Sequence, residues 1–405
     1  MKSRHRRVAH IYGSLYKMHG ATKWLLLFCT KIAGQGVKST IYCVSYGIPT
    51  PFWFRGEIKH LFRKGKDSVE PSGIKKILFT ASQLLFITFL PLMIKRPGYI
   101  IYHAEQSVWA FILCRILFRH SKHIYYCYQP PRELYDMSKG ARRQFGFWYN
   151  LLSPLLGLYK ILDRAIVRRM DYVLSWSPQY AEYIRSIYGD VAVHLIPAGV
   201  DFDLFETNED TPYRIAELRE RYRLGKGPVL LMVSNLSWKK NIEEFVRLVA
   251  ELRRSVPDLV GVVIGEGPEE KRLRVLAGEL RIGDAFILTG FVSQEELPLF
   301  YQMCSILYFL EHNGAWTMST IEAGAARKPV IVAAGGSMET LVKEGETGYI
   351  VPDAYDIKSL ENRTLDLIRN KEKARAFGQA NYDHSSRFSA ESAAARLFNE
   401  VINNI

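Results

Sequence analysis

Two doubly wound α/β domains in tandem, each a parallel sheet with helices on both faces, are the fold this sequence predicts. Three observations predict it. The chain has 405 residues, more than one hydrophobic core organises, so two domains are expected. Short apolar runs alternate with helical stretches through both halves, the signature of βαβ units. Several of those runs end in glycine turns that lead into helices, as at the carboxyl ends of parallel strands. The spacing sets a first domain over 1–205 and a second over 206–385. The terminal segment 386–405 reads as a helix packing back toward the first domain. Sheets of this kind bind ligands beyond the carboxyl ends of their strands, so the expected site is a cleft that the two domains face.

In the first half, "VAHIYG" reads as a strand. It leads to "HGATKWLLLFCTKIAGQG", a glycine turn, a helix and a glycine stop. "STIYCVSYG", "GYIIYHAE", "HIYYCYQ" and "DYVLSWS" follow as strands, and "AVHLIPAGVDFDLF" as a linker strand and turn. In the second half, "GPVLLMVSNLSWKKN" is strand then loop. "IEEFVRLVAELRR" is an amphipathic helix with Ile242, Phe245, Val246, Val249 and Leu252 on one face. "LVGVVIGEGP" is a strand ending in a glycine turn, followed by the helix "EEKRLRVLAGEL", the strand "AFILTGFV", the helix "QEELPLFYQMC" and the strand "SILYFLE". Then comes "GAWTMSTIEAGAARKPVIVAAGG", a helix, a buried strand and Gly335-Gly336. "SAESAAARLFNEVINNI" closes the chain as one more amphipathic helix.

Charge is divided unevenly. Residues 1–200 carry 29 Lys and Arg against 10 Asp and Glu, and residues 201–405 carry 25 against 31. The basic half reads either as a solvated basic surface or, more sharply, as one that faces anionic membrane lipid or a phosphate-rich ligand. No zinc-finger spacing, RNP motif or isolated basic helix points to nucleic acid. The five cysteines are scattered, with no C-x-x-C pair, so neither a zinc site nor a disulfide framework is indicated and a reducing compartment is expected. "MKSRHRRVAHIYGSLY" lacks the apolar core of a secretory signal. The apolar stretch from Ile77 to Ile94 holds Thr80, Ser82, Gln83, Thr88 and Pro91, and reads as a core or membrane-surface helix before a spanning one. The expected location is cytoplasmic, peripheral on the cytoplasmic face of a membrane.

One carboxylate stands out. Glu322 interrupts an otherwise small and apolar helix just before a buried strand and a glycine turn. A carboxylate there can accept hydrogen bonds from both hydroxyls of a nucleotide ribose, as in dinucleotide sites; the bland alternative is a helix-surface glutamate. The start of the same helix, after Gly314 and with Thr317 near it, offers backbone N–H donors and partial positive charge to a phosphate. Lys240 follows the first strand of the second domain and can reach the same place; the alternative is a surface member of a Lys-Lys pair. Gly335-Gly336 suits close backbone approach, and Glu339 is a weaker candidate. Asp201 and Asp203 form a D-x-D that invites a metal reading.

The motifs "VSNLSWKKNIEEFV", "IGEGPEEKRL", "LTGFVSQEELPLFY", "MSTIEAGAARKPVIVAAGGSMETLVKEGETGYIVP" and "RFSAESAAARLF" resemble, in order and spacing over roughly residues 228–400, the retaining glycosyltransferases of family 4, which have the GT-B fold. The first half is similar more loosely, through "HGATKW", "YCYQPPRELYD" and "IYGDVAVHLIPAGVDFDLF". The resemblance implies two Rossmann-like domains facing a cleft. It implies that Lys240 binds the donor phosphates and that Glu322, second carboxylate of the family's E-x(7)-E motif, binds the ribose. Gly20 then lies in the loop that contacts donor phosphate and acceptor. No metal is expected, so the D-x-D reading is rejected, and no cofactor beyond the nucleotide-sugar substrate. Three positions depart from the family's pattern. The first glutamate of E-x(7)-E falls at Gly314, with Glu311 one turn earlier. The usual arginine before the lysine is Asn235, which does not neutralise phosphate. The first-domain histidine falls at Tyr128; a tyrosine can hydrogen-bond a donor sugar but ordinarily titrates near pH 10, unlike histidine. Arg132 and Lys239 are candidates to compensate. The expected activity is transfer of a sugar from a nucleotide-sugar to a lipid-linked or membrane-surface acceptor, with retention. The expected catalytic group comprises Tyr128, Lys240 and Glu322. A weakly active or inactive companion subunit of an active transferase, and a GT-B epimerase, stand as alternatives because fold does not fix function.

Overall fold

The computed structural model describes residues 7–15, 18, 20–51, 53–63, 82–83, 85–129, 135, 147–312, 314 and 316–402, and of 147–156 the backbone alone. The chain divides into two compact units, one of Met1–Pro197 with Ala393–Ile405 and one of Ala198–Ser392.

The first unit is built on a seven-stranded parallel sheet: β1 (Arg7–Leu15), β2 (Lys38–Tyr46), β3 (Glu57–Arg63), β4 (Tyr99–His103), β5 (Lys122–Cys127), β6 (Tyr172–Ser175) and β7 (Val193–Leu195), in the order β3-β2-β1-β4-β5-β6-β7. Parallel sheets are covered on both faces, so their strands read as continuous apolar runs. In β1 seven of nine residues are buried, and Ile11, Val44, Ile100, Tyr102 and Tyr125 share one core. β3 carries no such run. Its sequence EIKHLFR is half-exposed throughout, and it pairs with β2 at the sheet edge. Charges on an edge strand discourage pairing with another chain, and they also hid this strand from the periodicity. Helix Gly20–Gly34 buries Trp24, Leu25, Leu26 and Phe28. Part of the apolar stretch 77–94 lies outside the described residues. Leu85–Phe89 are helical and Leu90–Met93 form a 3-10 turn, with Leu85, Phe89 and Leu92 exposed. Among the described residues no helix is long and apolar enough to cross a membrane. The last helix, Ala390–Leu397, passes into a π turn, Phe398–Ile402, instead of continuing as one helix; the hydroxyl of Tyr99 donates to the Ile402 carbonyl at 3.0 Å.

The second unit has a six-stranded parallel sheet: β8 (Val229–Val233), β9 (Val260–Ile264), β10 (Phe286–Gly290), β11 (Ile306–Phe309), β12 (Val330–Ala333) and β13 (Gly348–Val351), ordered β10-β9-β8-β11-β12-β13. Helix Ile242–Leu252 buries Ile242, Phe245, Val246, Leu248, Val249 and Leu252, the predicted stripe plus Leu248, and places Glu243 and Glu244 in its first turn, where the helix dipole favours them. Both sheets are wound outward from a central pair, β1 beside β4 and β8 beside β11. At such a reversal the connections leave in opposite directions and open a crevice at the strands' carboxyl ends.

Candidate functional site

In the second unit the loops that follow β8, β11 and β12 rise from three adjacent strands. They carry most of the residues singled out from the sequence. Asn235 and Lys240 follow β8, Gly314, Thr317 and Glu322 follow β11, and Gly335 and Gly336 follow β12. Gly20 and Tyr128 stand on the first unit, after β1 and β5.

The β8 and β11 loops are tied together. The Lys240 ammonium pairs with the Glu311 carboxylate and lies 5.4 Å from the Phe309 ring centre. Next to it Asn241 turns left-handed, at φ 51°, and its Nδ2 donates to the Leu310 carbonyl at 2.8 Å. Phe309 also explains a departure noted above. A Cβ on Gly314 would stand 2.4 Å from the Phe309 ring, so a glutamate cannot sit there while that ring supports Lys240. The carboxylate beside the lysine comes from Glu311 instead. Trp316 anchors the far end of the loop; its indole N–H donates to the Ala198 carbonyl at 2.8 Å and its ring packs on Phe388.

Thr317 is the N-cap of helix Met318–Ala325, in extended conformation, and its hydroxyl pairs with Ser319 at 2.8 Å. Glu322, in the middle of that helix, is only 4% exposed. Its Oε2 accepts a hydrogen bond of 2.6 Å from the Tyr301 hydroxyl on the preceding helix, Leu297–Met303. Burial, and secondly the charge of Glu322, push the Tyr301 hydroxyl well above its usual range, so it remains a donor. A carboxylate has two oxygens and about four acceptor positions, the chemistry a pair of ribose hydroxyls needs. Gly335 and Gly336 have φ of 99° and 67°. That is backbone in which side chains are strained, and the Gly335 N–H donates to Glu339 at 3.0 Å. Glu339 thus holds the turn.

On the first unit, Gly20 opens its helix, exposed, with no acidic residue in the first turn. Tyr128 is nearly buried. Its ring stacks on Trp176 at 4.6 Å, and its hydroxyl lies 2.7 Å from His103 Nδ1. Arg132 lies outside the described residues. Asp201 immediately precedes the turn Phe202–Phe205 and Asp203 lies within it, and no cluster of metal-ligating side chains occurs among the described residues. A surface concavity lined by Asn362, Asp366, Arg369 and Lys371 contains none of the predicted residues.

Sequence reasoning missed Tyr301, Asn241 and His103. Tyr301 reads as an apolar helix residue and meets Glu322 across 21 positions. Asn241 left a signal, the Asn after Lys-Lys, a residue type that tolerates the left-handed turn.

The Glycosyltransferase Family 4 pattern matches residues 18–204, and the pattern for glycosyl transferases group 1 matches 215–384. Over 270 residues the chain is 31% identical to a GDP-mannose-dependent α-(1-6)-phosphatidylinositol monomannoside mannosyltransferase of Mycolicibacterium smegmatis, covering 58% of this chain and 69% of that one. It is 26% identical over 212 residues to an α-monoglucosyldiacylglycerol synthase of Streptococcus pneumoniae, covering 51% and 47%. Among solved structures, sucrose-phosphate synthase from Thermosynechococcus elongatus superposes with a TM-score of 0.75 at 19% identity, over 99% of this chain and 100% of that one. HepE of Anabaena with UDP and glucose gives 0.72 at 15%, over 99% and 100%.

Proposed function

The chain belongs to glycosyltransferase family 4 and is a nucleotide-sugar-dependent glycosyltransferase, and from that premise we propose that it transfers a sugar, with retention, to a glycolipid acceptor at an anionic membrane surface. One observation carries the donor half of this reading: Lys240, Glu322 and the Gly335-Gly336 turn follow three adjacent strands, β8, β11 and β12, around the reversal of the second sheet. Glu322 accepts hydrogen bonds from the ribose hydroxyls. Lys240 and the amides at the start of helix Met318–Ala325 take the diphosphate, which displaces Glu311 from the ammonium. As the bond to the sugar breaks, negative charge grows on the leaving phosphate. A fixed ammonium and fixed amide dipoles stabilise that charge without reorganising. With these groups on the diphosphate, no metal ion is required, and EDTA is expected to leave turnover unchanged.

The acceptor half is supported by the names of the relatives, which concern phosphatidylinositol mannoside and diacylglycerol glycolipid. It is supported also by the surface of the first unit. Leu85, Phe89, Leu92, Ile112, Ile116 and Ile161 are exposed there. The turn Leu90–Met93 packs against helix Phe111–Leu117, and Lys95, Arg96, Arg115, Arg119 and Lys160 lie in the same segments. Apolar side chains set among cations suit an anionic lipid surface. A donor screen with mass detection of a glycolipid product, together with flotation on phosphatidylglycerol vesicles at low and high salt, tests both halves. Binding of a nucleotide-sugar without transfer would favour the companion role; absence of all flotation would remove the membrane surface.

A further inference from the structure

Five side chains stand in single file across the first sheet, from near the amino end of β2 to the carboxyl ends of β4 and β5. Cys29 Sγ, on the helix after β1, lies 2.8 Å from Ser39 Oγ on β2. Ser39 Oγ lies 2.8 Å from His10 Nε2 on β1, and His10 Nδ1 lies 2.8 Å from His103 Nε2 at the end of β4. His103 Nδ1 lies 2.7 Å from the Tyr128 hydroxyl just past β5. His10, His103 and Cys29 are fully enclosed, with Phe28 against both imidazoles and Tyr126 against His103. Burial depresses both histidines, His10 to about 3, so both are neutral.

A neutral imidazole carries one N–H and one bare nitrogen. The two rings meet nitrogen to nitrogen, so one must donate and the other accept, and the tautomer of either dictates that of the other. The file therefore has two proton orders. In the first, Tyr128 donates to His103 Nδ1, His103 Nε2–H donates to His10 Nδ1, and His10 Nε2–H donates to Ser39. In the second, every bond is reversed: Ser39 donates to His10 Nε2, His10 Nδ1–H donates to His103 Nε2, and His103 Nδ1–H donates to the Tyr128 oxygen. Only the second leaves the Tyr128 proton free for a ligand; the first leaves only lone pairs.

We propose that His103, backed by His10 and Ser39, is a positioning residue whose coupled tautomer sets whether Tyr128 offers a ligand a proton or a lone pair. The proposal rests on the functional reading only in taking the ligand that Tyr128 meets to be a substrate of the transferase. The coupling is testable without substrate.

Two substitutions at opposite ends should drive the file in opposite directions. Ser39→Ala removes the partner of His10 Nε2. A buried N–H without an acceptor is less tolerated than a bare acceptor, so the second order is selected and His103 becomes the Nδ1–H tautomer. Tyr128→Phe removes the partner of His103 Nδ1, selects the first order and makes His10 the Nε2–H tautomer. Nitrogen-15 spectra of the full chain labelled at histidine, read against His10→Gln and His103→Gln for assignment, report which nitrogen carries the proton. The expected result is opposite tautomers in the two variants, each change reaching the ring that does not touch the substituted residue. Should Tyr128→Phe fail to fold, the His103 signal in Ser39→Ala decides alone. Unlinked rings, with His103 the same in Ser39→Ala as in Tyr128→Phe, overturn the proposal; so does protonation of both nitrogens on either ring at neutral pH. A failed donor screen would leave the spectra unaffected, so the two readings fall separately.

Discussion

Glu322 and Lys240 should respond to different parts of a nucleotide. Glu322→Gln is expected to weaken binding of the nucleoside diphosphate found in the donor screen by about 1.5–3 kcal/mol, the worth of a hydrogen bond to a charged group. The loss should vanish with the 2′,3′-dideoxynucleotide, and calorimetric titration of both ligands checks it; equal losses would remove the ribose role. Glu311→Gln frees the Lys240 ammonium and should tighten diphosphate binding, most visibly at low salt. Weaker binding would instead make Glu311 a ligand group. Glu322 was legible in the sequence because a carboxylate in an apolar helix before a glycine turn has few structural uses. Its partner Tyr301 was not, because the 2.6 Å contact depends on how two helices pack.

At the level of the element, the loops after β11 and β12 depend on glycine for different reasons. Gly335→Ala and Gly336→Ala force a Cβ into left-handed backbone and should each cost about 1–2 kcal/mol. Gly314→Glu meets the Phe309 ring and should cost about 1–3 kcal/mol as an overpacked site. Denaturant unfolding reads all three, and full stability of Gly314→Glu would show that Phe309 yields. The family's carboxylate position is thus closed by one aromatic ring, which sequence alignment reports only as a departure. The strands with continuous apolar runs were legible for a related reason, since a run buried on both faces needs no partner to identify it. β3 was not, because its half-exposed, charged residues carry no period.

Across the molecule, acid should act on the first unit before the second. Burial depresses His10 to about 3, His123 to about 4 and His103 well below its usual value. All three are in the first unit. The unfolded chain then binds protons first as pH falls, so the stability these histidines give is full above about 6.5 and lost toward pH 4. Each contributes a slope of up to about 1.4 kcal/mol per pH unit within its window. Asp163, raised by burial, runs the other way but is a single group. In the second unit His384 is depressed too, from a less enclosed site. Calorimetry between pH 7 and 5 should show the first unit's transition falling more steeply, and parallel shifts of both would contradict the assignment.

By itself the sequence determined two doubly wound domains, the charged division between them, and the carboxylate, lysine and glycine pair of the second. Those follow from local period and from residue types that suit few environments. Only the tertiary structure decided that Lys240 is neutralised by Glu311, that Gly314 yields its space to Phe309, and that Tyr128 ends a file of buried polar groups. Each is a contact between segments distant in the chain, set by strand order and helix packing, which no local pattern encodes.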